Sequence, residues 1–449
     1  MSFRNGGGQG NKTFLINMAE AIPNSLDLFE KSAVQSAITE AQWIEIRPVN
    51  SIEETAPVSF RIDGSSEDFI DLSETYLKVK VRITNAAGDA GYAAEVMVAP
   101  INLILQSMWS KLDVSFNGKR VSSSGHTYPF RAYLESALNL TSDVKKGQLS
   151  ASGWFIDTAQ QFDTLGAENV GFMARQAIGQ TRNTMSLMGK LHADIFNQNR
   201  YLIDGVNIDI QLTRSSDSFC IMRPRADGVN YKLKLDEASL FIRKVKVLPS
   251  CRMGIYKGLD LAPIRMPIRR TEQRVFSLAN GITSWSQESI ISGQLPRRLT
   301  IGFVRTDALI GSYERNPFNF QHFNINFFSL YINGQQLPSR ALVPDFREGT
   351  TDYVRSFMQM SSALGYAFAN QDCGISYDDF KGGNTLFVFN LNSEQTDGDH
   401  IERVKRGSVR LEVRFAQPLP TPISCLVFSE YDSLILLDKD RNAELDYLV

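Results

Sequence analysis

Residues 112–121 read LDVSFNGKRV, and residues 328–337 read FSLYINGQQL. Each stretch is an alternating strand that runs into Asn-Gly and continues with a polar pair and an aliphatic residue. Asn-Gly after an alternating strand is the strongest short signal of a β-hairpin, because a type I′ turn needs positive φ at both central residues. Asn117 and Asn333 lie 216 positions apart (333 − 117), which is the size of a domain. The sequence therefore predicts an internal duplication built around two equivalent hairpins.

A helix is predicted after each hairpin, at YPFRAYLESALNL (128–140) and at TDYVRSFMQMSSALG (351–365). Pro129 fits the first turn of the first helix, and Gly365 fits the C-terminal cap of the second. Each helix places apolar residues on one face at helical spacing: Phe130, Leu134 and Leu138 in the first, and Tyr353, Phe357, Met360 and Leu364 in the second. The same element therefore follows the same hairpin in both halves.

Alternating strands surround these helices, as in YLKVKVRI (76–83) and YKLKLDEASLFIRKVKV (231–247), where period two indicates half-buried antiparallel strands. VNIDIQL (206–212) and VRLEVRF (409–415) match in pattern, 203 positions apart from Val206 to Val409. Tyr133 and Tyr353 lie 220 apart. Chance similarity between alternating strands is the competing explanation of these offsets. The constant order favours an all-β fold of two sandwiches of jelly-roll type with short helices in the connections, and the absence of a 40–50-residue period disfavours a propeller.

Composition describes an ordinary globular protein: of 449 residues, 43% are hydrophobic and 21% charged, with a net charge of −2. No global positive field would draw such a chain onto nucleic acid. Four scattered cysteines indicate free thiols rather than a zinc module or a disulfide framework. We expect neither a signal peptide nor a transmembrane segment.

Some segments resemble metal-binding or nucleotide-binding motifs but depart from them at required positions. GGGQGNKT (6–13) imitates a phosphate loop but has Asn11 before the lysine and no strand before it. DKDRN (438–442) imitates a calcium loop, but Ala443 stands where the loop needs Gly. TDGDHIE (396–402) is interpreted as a solvated hairpin tip.

The residue patterns of known catalytic sites are not found either. The four histidines, His126, His192, His322 and His400, are far apart and lack metal-ligand spacing. No nucleophile elbow is present. Asp378-Asp379 is interpreted as an exposed turn, and the small arginine clusters (Arg269, Arg270 and Arg274; Arg297 and Arg298) as solvated strand faces or turns. We therefore assign no catalytic, cofactor-binding or metal-binding residue and expect no cofactor.

Several segments resemble the double jelly-roll major capsid proteins of the adenovirus-type lineage, including Polinton-like and adintovirus-like elements. The segments are SLDLFEK (25–31), QWIEIRPVNSI (42–52), GSSEDFIDLSETYLKVKVRI (64–83), VSFNGKRVSSSGHTYPFRAYLESAL (114–138) and EYDSLILLDKDRN (430–442). TYPFRAYLE (127–135) is the most specific of these motifs. The likeness is strongest over about 25–140 and rests on pattern in the second half.

The resemblance implies an all-β fold of two consecutive eight-stranded jelly rolls. It also implies a structural protein without enzymatic activity, found in the virion and made in the host cytoplasm or nucleus. Three copies would form a homotrimer with a pseudo-hexagonal outline that contacts neighbouring capsomers, penton proteins and minor capsid proteins in an icosahedral shell. It implies four segments: an N-terminal arm and extension (1–40), a first jelly roll (41–250), a second jelly roll (251–432) and a C-terminal tail (433–449). The arm offers only Arg4 and Lys12 as cations before residue 26, too few to neutralise much genome, which suits a DNA virus rather than one with a polybasic arm.

Two other functions remain open at this point. A β-sandwich that binds carbohydrate or attaches to a receptor would need an exposed row of Trp and Tyr, whereas the four tryptophans (Trp43, Trp109, Trp154 and Trp285) are dispersed. A polysaccharide-processing enzyme would need two carboxylates across a cleft, about 5–10 Å apart.

Overall fold

Antiparallel strands dominate the described part of the chain, which in this computed structural model comprises residues 34–52, 56–87, 96–182, 184–393, 401 and 403–446. The strands are β1 Ile38–Ile46, β2 Val58–Ile62, β3 Phe69–Thr84, β4 Ala99–Pro100, β5 Trp109–Phe116, β6 Lys119–Ser123, β7 Met185–Lys190, β8 Ile208–Arg214, β9 Ile221–Met222, β10 Lys232–Val247, β11 Ile264–Leu278, β12 Ser284–Gln294, β13 Arg298–Arg305, β14 Ile325–Ile332, β15 Gln335–Leu342, β16 Leu386–Asn390, β17 Arg406–Phe415, β18 Ile423–Leu437 and β19 Ala443–Asp446.

Short helices occupy the connections between these strands. They are α1 Ile104–Ser107, α2 Tyr128–Asn139, α3 Ser142–Lys146, α4 Val170–Arg182, α5 Asp217–Cys220, α6 Pro249–Leu261, α7 Thr306–Ile310, α8 Val354–Ala363 and α9 Tyr377–Lys381. Residues 38–449 form one compact unit. The predicted N-terminal arm lies mostly outside the described residues, and β1 begins at Ile38, inside the predicted extension.

Eight strands of the first half form two four-stranded antiparallel sheets, ordered β1-β10-β3-β7 and β2-β8-β5-β6. If these eight strands are numbered along the chain, the orders are 1-8-3-6 and 2-7-4-5. The second half repeats both orders, as β11-β18-β13-β16 and β12-β17-β14-β15. This strand order, two four-stranded sheets packed as a pair of Greek keys, is that of a jelly roll, so the predicted fold class is confirmed.

The two Asn-Gly turns join the fourth and fifth strands of their rolls. Positive φ values of 46° and 80° at Asn117 and Gly118, and of 50° and 83° at Asn333 and Gly334, confirm the predicted turn. Asn117 exchanges hydrogen bonds with Asn207, and Asn333 does the same with Ser408: in each case the Asn backbone N–H donates to a carbonyl, and the Asn side-chain oxygen accepts a backbone N–H at 2.9 Å. The hairpins are therefore equivalent down to the contacts of their first turn residue.

The predicted matches between single residues of the two halves were less accurate than the predicted matches between their elements. Phe116 pairs with Ile208, and Ile332 pairs with Val409. Ile208, not Val206, is therefore the counterpart of Val409. Val206 lies before β8 begins.

Several elements were not predicted from the sequence: β7, α4, β11 and β12. Pro267 interrupts the β11 pattern, which is tolerated because β11 is an edge strand of its sheet. The predicted C-terminal tail also contains regular structure, since β18 continues to Leu437 and β19 pairs back onto it.

The interior of each roll forms where inward-facing residues of its two sheets meet. Alternation in β3 buries Leu77, Val79 and Val81, whereas Lys80 forms an ion pair with Glu237 at 2.9 Å on the outer face. In the second roll, Leu299, Ile301 and Phe303 of β13 face the same interior as Phe328 of β14. A second cluster begins in the first roll and extends onto the outer face of the sheet that contains β18, where Leu426 and Phe428 are buried.

Candidate functional site: the interface between the two jelly rolls

Helix α2 of the first roll packs against the connection between β13 and β14 of the second roll. Tyr133 stacks on Phe318 with a ring-centroid distance of 4.2 Å, and Phe130 meets the same ring edge-on at 5.6 Å. All three rings are buried. Aromatic pairs of this kind contribute about 0.5–1.5 kcal/mol each beyond the area they bury. The face of TYPFRAYLE that the sequence predicts to be apolar therefore joins two domains as well as filling one core.

Arg131 occupies the opposite side of α2 and is fully buried. Its guanidinium pairs with Glu135 at 2.9 Å and with Asp194 at 2.8 Å. Burial alone would lower the pKa of Arg131, but the attraction of the two carboxylates outweighs it and raises that pKa above its ordinary value. Burial likewise opposes ionisation of Glu135, yet Arg131 and His192, whose Nδ1 lies 2.7 Å from Oε2, lower the pKa of Glu135 to about 2. Arg131 and Glu135 are therefore both ionised at neutral pH.

Asp194 extends this cluster to the second roll. Its Oδ1 accepts hydrogen bonds from the backbone N–H of Thr271 on β11 at 3.2 Å and from the Thr271 hydroxyl at 3.4 Å. Ser122 donates to its other oxygen at 3.1 Å. One carboxylate thus joins α2, β6 and the edge of β11.

Arg298 and Glu430 form a second buried pair, on the outer face of the second roll. Arg298 Nε donates to Glu430 at 2.9 Å, and Arg298 Nη2 donates to the Asn139 side chain at the end of α2 at 2.6 Å. Neighbouring Arg297 pairs with Asp432 at 3.4 Å. The interpretation of Arg297 and Arg298 as solvated was wrong, because the first roll covers this face.

A buried lysine makes a third connection. The Lys145 ammonium donates to the backbone carbonyls of Ala137 in α2 and of Cys373 in the second roll. Burial lowers the pKa of Lys145 to about 8. Two carbonyls from different rolls therefore share the hydrogens of one ammonium, which ties the end of α2 to the connection that precedes α9.

The turn 438–442 contacts the first Asn-Gly hairpin. Asn117 Nδ2 donates to the Arg441 carbonyl at 3.0 Å, and Arg441 Nε donates to the Asp204 carbonyl at 2.8 Å. The Asp438 carboxylate accepts hydrogen bonds from the backbone and side-chain N–H groups of Asn442, at 2.8 and 3.0 Å. DKDRN is therefore a closed turn that joins the rolls.

The other sequence candidates lie apart from one another. His126 is exposed before α2, His192 belongs to the Arg131 cluster, and His400 lies outside the described residues together with most of TDGDHIE. His322 stacks on Phe346 at 4.5 Å, and its Nδ1 accepts the N–H of Asn324 at 3.0 Å; burial lowers the pKa of His322 to about 4. Residues 6–13 also lie outside the described part.

Asp378 and Asp379 lie in a helix, not in a turn as predicted. They form the first turn of α9, where Asp379 and Ser376 make a reciprocal capping box. Acidic side chains are favourable there because of the helix dipole. Their role in the fold is thus structural.

A cleft of about 1340 Å³ opens between the rolls and carries three carboxylates on its walls, those of Glu135, Glu430 and Asp432. Each is already paired with an arginine. A general acid needs a raised pKa, whereas that of Glu135 is lowered. This cleft therefore gives no support to the polysaccharide-processing alternative.

The described ranges offer no metal site and no exposed row of tryptophans. No group of three or more His, Cys, Asp or Glu side chains there could hold a metal ion. Of the four tryptophans, Trp109 and Trp154 are buried, and Trp43 is the one with a large exposed area. Over the same residues, the helices are all too short or too polar to cross a membrane.

Comparison with solved structures shows where this fold occurs. A chain of the Sputnik virophage covers 98% of this protein and 94% of itself, with a TM-score of 0.61 and 15% identity. The Faustovirus major capsid protein matches with a TM-score of 0.57, 9% identity and coverage of 91% and 92%. The mavirus major capsid protein matches with a TM-score of 0.54, 12% identity and coverage of 99% and 97%.

This chain has the double jelly-roll fold of viral major capsid proteins. The predicted resemblance is confirmed at the level of the fold, and the Polinton-like lineage stays a prediction. An uncharacterised Caenorhabditis elegans protein is 24% identical over 430 residues, covering 92% of this double jelly roll and 99% of that protein. No family profile matches the sequence.

Proposed function

We propose that this chain is a structural major capsid protein whose homotrimers form pseudo-hexameric capsomers that tile an icosahedral shell. The observation that carries the proposal is the repetition of the 1-8-3-6 and 2-7-4-5 strand orders within one chain. Three copies of a chain with two like rolls have six lobes, so a threefold assembly can occupy a position with six neighbours. The match to capsid proteins over nearly the whole length supports the same conclusion.

The interface between the rolls fits this role, because a lattice subunit must hold its two lobes in one orientation. Buried aromatic stacking supplies cohesion, and paired buried charges allow few alternative packings. We propose 41–250 and 251–432 as the two roll units. The chain would have no catalytic activity and no cofactor.

The proposed partners are other copies of the chain, within the trimer and in neighbouring capsomers, together with penton and minor capsid proteins. Its location would be the virion of a DNA virus, after synthesis in the host cytoplasm or nucleus. A formal charge of −2 gives no global positive field that would hold nucleic acid, and we propose no sequence-specific binding to it.

Mass and shape of the purified full chain test the proposal. Light scattering after gel filtration should give about three times the 50.3 kDa chain mass. Negative-stain class averages should show hexagonal outlines. A stable monomer that binds glycans would contradict the proposal and favour the carbohydrate-binding alternative.

A further inference from the structure

The two rolls differ in how well corresponding surfaces are covered. Helices α2 and α8 both connect the fifth and sixth strands of their rolls. Ten of the twelve residues of α2 are buried, against three of the ten in α8. Val354 in the first turn of α8 is 51% exposed, and Val343, just after β15, is 61% exposed.

Part of the cover on α2 comes from the second roll. Phe318 and the Arg298–Glu430 pair contact α2 from the outer side of the sheet β11-β18-β13-β16. On this outer face, Leu426, Phe428 and Glu430 are each at most 3% exposed. Within one chain, the helix of the first roll therefore packs on the outer sheet face of the second.

Within the described part of the chain, the corresponding sheet face of the first roll, on β1-β10-β3-β7, is less completely buried. Trp43, Tyr76 and Phe241 lie together on it, and we call these three residues the aromatic face. Tyr76 pairs with Phe241 across the strands, and the Trp43 and Tyr76 rings are 5.3 Å apart. Trp43 is 48% exposed, and the other two rings are half-buried.

Among the described residues, α8 and the aromatic face are thus incompletely covered, whereas their counterparts contact each other within the chain. We propose that the exposed side of α8, with Val343, docks on the aromatic face of a second copy of this chain. Arg355 fixes the position of α8 for this contact by donating to the carbonyls of Ala341 and Arg340 at 2.8 and 2.7 Å.

Such a contact joins two different surfaces, so it is heterologous and can close a ring. The inference rests on the proposed self-assembly for the number of copies, three. Trp43 is the aromatic anchor expected of an interface hot spot, and Val343 and Val354 are the aliphatic surface it meets. A glycan or an unrelated protein on either face would not reproduce the pairing within the chain.

Cysteine labelling of the intact trimer tests this surface. The labelling uses a Cys251→Ser background, because the three other native cysteines are buried. Val354→Cys should react with a maleimide at least tenfold more slowly than Leu261→Cys, because Leu261, 89% exposed at the end of α6, belongs to neither face. Equal rates in the trimer would overturn the inference and leave the proposed function intact. A wild-type chain that stays monomeric would instead contradict the proposed function, and the docking inference with it.

Charge substitutions provide the second measurement. The double variant Val343→Glu, Val354→Glu and the single variant Trp43→Glu should each reduce the measured mass to one third, while the circular-dichroism spectrum stays that of the folded chain. Leu261→Glu is the matched control and should stay trimeric. Folded variants that remain trimeric would overturn the inference, and if a variant does not fold, the labelling rates decide.

Discussion

Arg131 is a buried guanidinium with two carboxylate partners, one of which also binds the second roll. Replacing it by Met leaves Glu135 and Asp194 buried without this counterion. Removing one partner of a buried ion pair costs about 3–5 kcal/mol. We expect Arg131→Met to lower the free energy of unfolding by this amount, as measured by urea denaturation at pH 7.

Arg61 is the matched control, since it pairs with Asp209 at 2.7 Å at the surface, where 64% of its side chain is exposed. Solvent screens such pairs. Arg61→Met should leave the urea midpoint unchanged. Equal losses in the two variants would contradict the structural role assigned to the Arg131 cluster.

His322 should make the protein sensitive to mild acid. Its pKa is about 4 in the folded chain against an ordinary value of 6.5, so between these values the unfolded chain binds a proton that the folded chain does not. Stability from this residue is complete above pH 6.5 and is lost as the pH falls towards 4, by at most about 3 kcal/mol.

His322→Gln keeps an acceptor for the Asn324 N–H and removes the titration. The variant should lose less stability than wild type between pH 6.5 and 4, as followed by thermal unfolding at several pH values. Parallel pH profiles for the two proteins would show that His322 is not the group responsible.

The sequence could not show the role of Arg131. Phe130, Leu134 and Leu138 define the apolar side of α2, and an arginine at the edge of such a stripe is expected to extend its charged group into solvent. The second roll, more than 130 residues away in sequence, covers that side. Arg297 and Arg298 were misinterpreted for the same reason: their burial depends on the other roll and not on local pattern.

At the scale of elements, the two Asn-Gly hairpins allow a paired experiment. Gly118 and Gly334 have φ values of +80° and +83°, and a Cβ added at either would meet no atom within 4 Å. Alanine therefore adds only the cost of left-handed backbone, about 1–2 kcal/mol. Gly118→Ala and Gly334→Ala should lower the unfolding free energy by similar amounts.

Gly254 provides a control of opposite sign, because it lies inside α6 without positive φ and without neighbours to a new Cβ. Gly254→Ala should raise stability by about 0.5–1 kcal/mol, since Ala loses less conformational entropy in a helix. Unequal effects at Gly118 and Gly334 would argue against equivalent hairpins.

The spacing of apolar residues predicted the helices and strands that bury one apolar face. It missed the elements that have no such face. Helix α4 turns Arg175 and Gln176 inward; Arg175 pairs with Asp157 at 2.7 Å and donates to the Pro100 carbonyl. Polar groups at buried positions interrupt the i, i+3, i+4 spacing of apolar residues that marks a helix in a sequence. Strand β12 is largely exposed, so its alternation is weak. Both elements are recognisable only once their tertiary partners are in place.

At the scale of the whole molecule, the duplication explains which features could be predicted from the sequence. The order of strands and the paired hairpins could be predicted because each repeat carries its own alternation and turn residues. The interface could not, because its ionic contacts come from side chains that interrupt those patterns: Arg131, Lys145 and Arg298. A repeated sequence pattern thus predicts two similar units, and the residues that differ between the two repeats determine how the units pack together.

The same interface leads to a prediction about the linker. If stacking, buried ion pairs and the shared Lys145 hold the rolls together, the covalent connection through α6 is dispensable once the chain has folded. Most of α6 is exposed, so a protease site inserted after Leu261 should be accessible. After cleavage, the two fragments should co-elute in native gel filtration at the mass of the uncut protein and separate only in denaturant. A variant that also carries Arg131→Met should release its fragments at lower urea. Fragments that part in native buffer would show that the linker, rather than the interface, holds the two rolls together.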